Sequence, residues 1–585
     1  MQKICKQCCQ NFEITSEDLK FYEKLSPVFN GKKYLIPPPN LCFNCRQQRR
    51  LAYRNERFMY KRKSDFTGKN IISMYPPDSP FKIYEQEIWW SDKWDAMKYG
   101  RDFDFSRSFF DQFRELQLQV PRVALVNKHS ENSIFTNHSG KNKNCYMSSV
   151  TFDSENIFYS DWVIKNCKDC VDSSYLNEGS ELCYETYYAW GSYMTFYCEF
   201  IKRCQNVWFC YDCINCKNCF MCWNLRNKEY CIRNKQYSKK DYEIEINKIL
   251  QFRYSEIEKF KLEYIKSKKT IAIHQATYSI QAIDSSGDLL FYTKNCNSCF
   301  DCINMEDCKY CIDAIDTKDC MDVYHVGWAE LMCECHAISN GYNCLFCHFT
   351  YDNRNSIYCD CTQNCNNCFG CAGLNQKQYC ILNKQYSKEE YNILVPKIIE
   401  HMSSYAKASE DRQNGAVPHE ALAQWGEFFP INFSPFAYNQ SRAPEYYPLN
   451  HKNAINHVFT WSDYEPEFPH VEKTIPANLL PETINEIPDD ILNWAILPVE
   501  ICDSHISTNH PFKIIKSELD FYRKMNLPIP RKHPDQRYLD RISLRNPRKL
   551  WRRKCIKCEK EIFSTYSPER EELVYCEMCY LEDIY

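Results

Sequence analysis

The feature that most constrains this chain is a twelve-residue period in cysteine. From Thr293 the sequence divides into eight consecutive twelves, from TKNCNSCFDCIN to KQYCILNKQYSK, with Cys fourth in six of them and seventh in six. A β-strand rises about 3.3 Å per residue, so six residues make a short side and a corner, and twelve return the chain to its starting edge. Coils stacked at about 4.8 Å bring one position into a column, and a narrow interior admits only small side chains. Cys suits that column as a compact, polarizable hydrophobe, and the flanking Asn and Asp suit tight corners. The period therefore predicts a narrow, two-sided coil.

The pattern occurs twice. Tyr230–Tyr242 (YCIRNKQYSKKDY) returns 149 residues later as Tyr379–Tyr391 (YCILNKQYSKEEY). At the same offset Cys198, Cys210, Cys216, Cys219, Cys222 and Cys231 fall on Cys347, Cys359, Cys365, Cys368, Cys371 and Cys380. These registers predict two Cys-rich β-solenoid blocks, 132–239 and 281–388. A helical connector over 240–280 and a helix over 389–420 follow them, with Ser238 and Ser387 placed as N-caps. Such caps would shield coil edges from strand addition.

The two ends form a second duplication. Cys5, Cys8, Cys42 and Cys45 make two Cys-x-x-Cys knuckles, as do Cys555, Cys558, Cys576 and Cys579. Each set has the spacing of a tetrahedral four-thiolate structural zinc site, so two Zn2+ ions are expected per chain. Cys9 offers an alternative pairing at the first knuckle. Phe12–Leu25 matches Phe512–Met525 at an offset of 500, and Arg46, Arg50, Arg54, Asn55 and Arg57 match Arg537, Arg541, Arg545, Asn546 and Arg548 at 491. In that register Ser64, Thr67, Glu85 and Ile88 stand where the C-terminal ribbon has its cysteines, and His533 and Gln536 stand where the N-terminal finger has Cys42 and Cys45. The ancestral unit is thus a finger followed by a ribbon, with metal kept in opposite halves of the two copies. Cys502, His505 and His533 form a candidate residual site in the second finger.

Closed four-thiolate sites leave no position for a reacting water, so their expected role is structural. Beside the knuckles lie basic runs, with Arg46, Arg49, Arg50, Arg54 and Arg57 in one copy and Arg545, Arg548, Arg552 and Arg553 in the other. Cations interleaved with aromatic residues suit phosphate contact and base stacking, while a solvated helix face paired with carboxylates is the plainer reading. The formal charge of −3 over 585 residues supplies no whole-chain attraction to nucleic acid. The block cysteines admit three readings: packed reduced thiols, disulfide rungs, or multinuclear metal sites. No P-loop, GxGxxG, HExxH or GxSxG sequence is present. Asp313, Asp316 and Asp319 are the candidates for sugar chemistry on a solenoid face, against a role as corner residues. The opening MQKICKQCCQ lacks an apolar signal core and no run of 18 apolar residues occurs, so a cytoplasmic protein with reduced thiols and no membrane span is expected.

The segments SMYPPDSPFKIYE, WWSDKWDAMKYGRDFDFSRSFF, NKQYSKEEY, IPDDILNWAI and LPIPRKHPDQRYLDR resemble a family of large, uncharacterised, Cys-rich zinc-ribbon and treble-clef-like proteins of small-genome, uncultivated bacteria. Some relatives carry a CaiB/BaiF CoA-transferase label, but no CoA chemistry is written in these residues. The resemblance covers nearly the whole chain and implies structural zinc.

The expected architecture is mainly β with α: two twelve-residue-coil β-solenoid blocks with helical caps, flanked by duplicated zinc finger and zinc ribbon modules. Its parts are a treble-clef-like finger (1–60), a metal-free ribbon-like segment with aromatic linker (61–131), the first block, connector, second block and helix, a Pro- and aromatic-rich arm (421–500), a degenerate finger (501–550) and a zinc ribbon (551–585). The expected function is a non-enzymatic, zinc-stabilised scaffold contacting RNA, DNA or a protein complex. A polysaccharide-acting enzyme and a metal or thiol store are the alternatives.

Overall fold

The computed structural model describes residues 1–330, 336–342, 345, 346, 348, 352–411, 425–465, 471–498 and 510–585, with backbone alone described for 325–330, 336–342 and 405–411. The chain is mixed α/β and forms two compact units, 1–124 with 278–464 and 125–277 with 465–585. Each terminal module thus belongs with the block that is farther from it in the sequence. Cys335, Cys344 and Cys347, which contribute to the period, lie outside the described residues.

In unit 2 short strands pair in parallel at a constant step. Tyr187 pairs with Glu199, and Tyr193 with Gln205, Gln205 with Lys217 and Lys217 with Glu229, each twelve residues on. Earlier coils are one residue longer, as in Glu155–Lys168–Glu181. The extra residues coincide with doubled left-handed positions at Lys165–Asn166 and Glu178–Gly179. Unit 1 repeats the twelve-residue step in Leu290–Cys302, Ile303–Ile315 and Ile357–Phe369.

The corner count corrects the two-sided expectation. Left-handed backbone recurs at every third residue, through Arg203, Asn206, Phe209, Asp212, Asn215, Asn218 and Met221, and again through Asn295, Ser298, Asp301, Asn304 and Asp307. Four corners per twelve residues replace the two predicted. The residue after each corner is the buried one: Cys204, Val207, Cys210, Cys213, Cys216, Cys219 and Cys222 in one block, Cys296, Cys299, Cys302 and Cys308 in the other.

A left-handed residue other than Gly costs about 1–2 kcal/mol, and two interactions offset this. Asn and Asp corners hydrogen-bond to the same corner of the next coil, as Asn206 does to Asn218 at 2.8 Å and Asn304 to Asp316 at 2.6 Å. Aromatic corners stack, as Tyr197 does on Phe209 with centroids 4.8 Å apart and Phe346 on Tyr358 at 4.9 Å.

The duplicated YCI(R/L)NKQYSK motif ends each block. Glu229–Ile232 folds back antiparallel on Lys235–Gln236, and Cys380–Ile381 on Lys384–Gln385. The Tyr237 amide then donates to Tyr230 at 2.9 Å and the Tyr386 amide to Tyr379 at 3.0 Å. Ser238 accepts from the Asp241 amide to open the helix Lys239–Ile249, and Ser387 accepts from the Glu390 amide before Lys388–Asp411. A hairpin and a capped helix thereby close the coil edge.

One face of each block carries large apolar residues beneath the unit's other elements. In unit 2 Tyr184, Phe196, Trp208 and Phe220 share a core with Leu519, Phe521 and Tyr522 of the helix Lys516–Lys524. In unit 1 Leu345, Ile357 and Phe369 share one with Phe109, Phe110 and Phe113 of the helix Phe109–Gln119. The Pro- and aromatic-rich stretch is divided between the units. Trp425, Phe428 and Phe429 join the unit 1 core, while Leu480, Ile484, Ile487 and Ile491 join that of unit 2. Among the described residues, no helix is long and apolar enough to cross a membrane.

Candidate metal centres

A knuckle is a tight turn that aims two sulfurs at one point, and its geometry recurs three times. The amide of Cys5 donates to Gln10 O and that of Cys9 to Cys5 O; Ser64 and Gly68, and then Cys555 and Glu559, repeat both bonds. The fifth residue is left-handed each time: Cys9, Gly68 and Glu559. The second ligand pair of each module opens a helix, with Cys42 as N-cap of Phe43–Ala52 and Cys576 as N-cap of Glu577–Ile584.

Among the described residues, two groups bring three or more metal-ligating side chains together. They are Cys5, Cys8, Cys42 and Cys45, and Cys555, Cys558, Cys576 and Cys579, with all ligand atoms of a group within 4.8 Å of one another. Cys8 Sγ lies 3.7 Å from Cys42 Sγ, and Cys558 Sγ 3.8 Å from Cys576 Sγ. Zn–S bonds of about 2.3 Å in a tetrahedron set sulfurs about 3.8 Å apart, so both donor sets fit zinc. Cys9 is exposed and stands outside the first group.

Backbone amides supply the outer shell. Cys42 N donates to Cys5 Sγ at 3.3 Å, and Cys576 N to Cys555 Sγ at 3.3 Å. Hydrogen bonds from the Cys42 and Cys45 thiols hold Cys5 far below its ordinary pKa. At Cys555 burial opposes ionisation, yet the amides of Cys576, Cys558 and Lys557 bring the thiol down to about 6. Thiolates stabilised in this way are the form that binds metal.

The metal-free ribbon replaces the ion with hydrogen bonds. The Ser64 hydroxyl donates to Glu85, the N-cap of Gln86–Trp89. Burial raises the Glu85 carboxyl, but Ser64 and Thr67 outweigh it and hold it below the usual range. In the second finger His533 is the N-cap of Pro534–Ile542, its Nδ1 accepting from the Asp535 amide at 3.2 Å. Cys502 and His505 lie outside the described residues.

The finger arginines correct the expectation of a nucleic-acid surface. Arg46, Arg49, Arg50 and Arg54 are all at most 3 % exposed. Arg46 and Arg50 converge on Asp322 at 2.9 and 3.3 Å, Arg49 meets Glu427 at 3.1 Å, and Arg54 meets Glu56 at 2.8 Å. In unit 2 Arg537 and Arg541 converge on the buried Asp172. The helix that looks like a basic face is therefore a clamp, two guanidinium groups closing on one block carboxylate. Arg57, Arg545, Arg548 and Arg553 are half-buried, and Arg552 is exposed with its guanidinium 5.5 Å from the Phe563 ring.

The block thiols are engaged internally. Cys204 Sγ donates to Cys213 O at 3.2 Å and accepts from Cys216 N at 3.4 Å; Cys198 does the same with Val207 O and Cys210 N. Ser173, Ser180 and Ser192 accept the equivalent amides elsewhere in the columns. A corner turns an N–H inward, and the side chain one coil below must accept it. All described cysteines are free thiols. His274 and His348 are buried in their units, while the side chains of His325 and His336 lie outside those described.

Asp313, Asp316 and Asp319 are three successive corners. They sit at different corners of one coil, so the three do not share a face.

In comparisons with protein families, curated proteins and solved structures, no match to this chain was found.

Proposed function

We propose that the chain is a non-enzymatic, zinc-stabilised scaffold in which two β-solenoid blocks are each held by a finger-and-ribbon module. The observation that carries this reading is the pair of four-thiolate clusters. Four sulfur ligands close the coordination shell, so zinc there orders a fold and leaves no site for catalysis. The engaged block thiols favour packing over metal storage, and the dispersed Asp corners weigh against a glycosidase-like face. We group the chain with the Cys-rich zinc-ribbon proteins that it resembles.

A nucleic acid or ribonucleoprotein remains the proposed partner, through the ribbon hairpin Trp551–Lys554 and Glu561–Ser564 instead of the finger helices. Arg552, Lys554 and Lys549 are exposed and, among the described residues, have no carboxylate partner; Phe563 is 56 % exposed beside Arg552. Cations flanking an exposed ring suit single-stranded nucleic acid. The test is oligonucleotide affinity against salt, with zinc and free-thiol content measured on the same sample. Arg552→Ala and Lys554→Ala are each expected to flatten the salt slope by roughly 0.7–0.9. Salt-independent or absent binding refutes the nucleic-acid reading, and more than two metal ions per chain refutes the scaffold reading.

A further inference from the structure

The two modules are copies, and one has a space that the other fills. In unit 2 the Glu518 carboxylate is fully buried, accepting from the Tyr522 hydroxyl at 2.8 Å and from both terminal nitrogens of Arg537 at 3.4 Å. The Arg537 guanidinium also lies 4.9 Å from the ring of the corner residue Tyr159. In unit 1 the matching residues are Asp18, Tyr22, Arg46 and Tyr310, with Arg46 5.5 Å from the Tyr310 ring. Asp18 is one methylene shorter. It turns to Lys309 Nζ at 2.6 Å, and Arg46 turns to Asp322 and to Leu41 O. A cavity of about 220 Å³ remains between Asp18, Tyr22 and Arg46, walled by Phe12 and Ile14, with Phe43 stacked on Tyr310.

Charge separates the copies in the same sense. In unit 2 Arg537 and Arg541 face Asp172 and Glu518, two cations against two carboxylates. In unit 1 Arg46, Arg50 and Lys309 face Asp18 and Asp322, three against two. The residue before the ring is Lys309 in unit 1 and Phe158 in unit 2. The open copy therefore lacks one carboxylate in both volume and charge. Arg–carboxylate pairing in a secluded site is strong and directional.

We infer that the unit 1 cavity binds a small organic monocarboxylate, whose carboxylate occupies the place that Glu518 fills in the other copy. The volume limits the ligand to a few heavy atoms, and Phe12 and Tyr22 receive its apolar part.

The test uses the zinc-loaded full chain, with propionate, benzoate and the neutral isostere propionamide followed by ligand-observed saturation-transfer NMR. One saturable site for an acid is expected, with propionamide at least tenfold weaker than propionate. Asp18→Glu rebuilds the filled copy and should weaken acid binding at least tenfold. Zinc content and thermal unfolding should stay unchanged, because Glu518 serves the same helix start. Lys309→Met removes the surplus charge without filling the cavity and should also weaken binding. Absence of saturable binding by either acid overturns the inference, as does equal binding of propionamide or undiminished binding by Asp18→Glu.

Discussion

Replacing Cys198 tests the hydrogen-bonding account of the block thiols. Its sulfur accepts from the Cys210 amide at 3.3 Å and donates to Phe196 O at 3.1 Å and Val207 O at 3.4 Å, with no exposure to solvent. Cys198→Ala removes the acceptor and leaves a buried N–H unsatisfied, at a cost of about 1–3 kcal/mol. Cys198→Ser keeps an acceptor and a donor, as Ser160 and Ser173 do in the same column, and should cost less than about 1 kcal/mol. An apolar core ranks the two the other way, because there a hydroxyl is buried without a partner. Hydrogen exchange at the Cys210 amide reads the difference locally: roughly 5- to 150-fold faster in the Ala variant where exchange follows opening. Urea unfolding should give the same order of stability. If the Ser variant is the less stable, or the Cys210 amide exchanges equally in both, the thiols are packing groups alone.

Metal analysis should give two zinc ions per chain, and a denatured, demetallated sample about thirty-eight reactive thiols. Ser64→Cys, Thr67→Cys, Glu85→Cys and Ile88→Cys together should raise the zinc content to three, since the Ser64–Gly68 turn already has the knuckle bonds; an unchanged content would show that the ribbon has lost its ligand geometry. Asp322→Ala leaves Arg46 and Arg50 buried without their shared carboxylate and should destabilise unit 1 by about 3–5 kcal/mol, and Asp172→Ala should do the same to unit 2; thermal unfolding unaffected by either would refute the clamp. Burial lowers the pKa of both His274 and His348 to about 4. The His274 Nδ1 lies 2.8 Å from the Tyr211 and Tyr566 hydroxyls, and Nε2 lies 2.8 Å from Lys268 O. Nε2 therefore carries the proton and Nδ1 accepts. Unfolded histidine, near 6.5, binds protons more readily than the folded one. The associated stability is complete above pH 6.5 and is lost as pH falls toward 4, by up to about 3 kcal/mol for each residue. A His274→Gln variant whose stability falls as steeply over that window would refute the assignment.

The metal ligands are legible in the sequence because a knuckle is a local turn, so Cys-x-x-Cys spacing fixes where two sulfurs point. The twelve-residue period and the 149-residue repeat are also legible, since stacking forces equal residues onto equal positions. The three-residue corner is hidden: inward positions accept Cys, Ser, Thr, Ala and Val alike, so cysteine alone marks the coil and not its sides. The left-handed residue before each inward position, often Asn or Asp, is the signal that could have revealed it.

The arginines differ for another reason. A row of Arg46, Arg49, Arg50 and Arg54 reads identically on a solvated face and in a clamp. Their partners Asp322 and Glu427 lie hundreds of residues away, and only the packing of the N-terminal module with the second block supplies them. The sequence by itself determined the period, the copies and the thiolate sets, all written in short-range spacing. Tertiary structure decided which block each module joins, which charges are buried, and that Asp18 leaves open what Glu518 fills, because each depends on groups that meet only after the chain has folded.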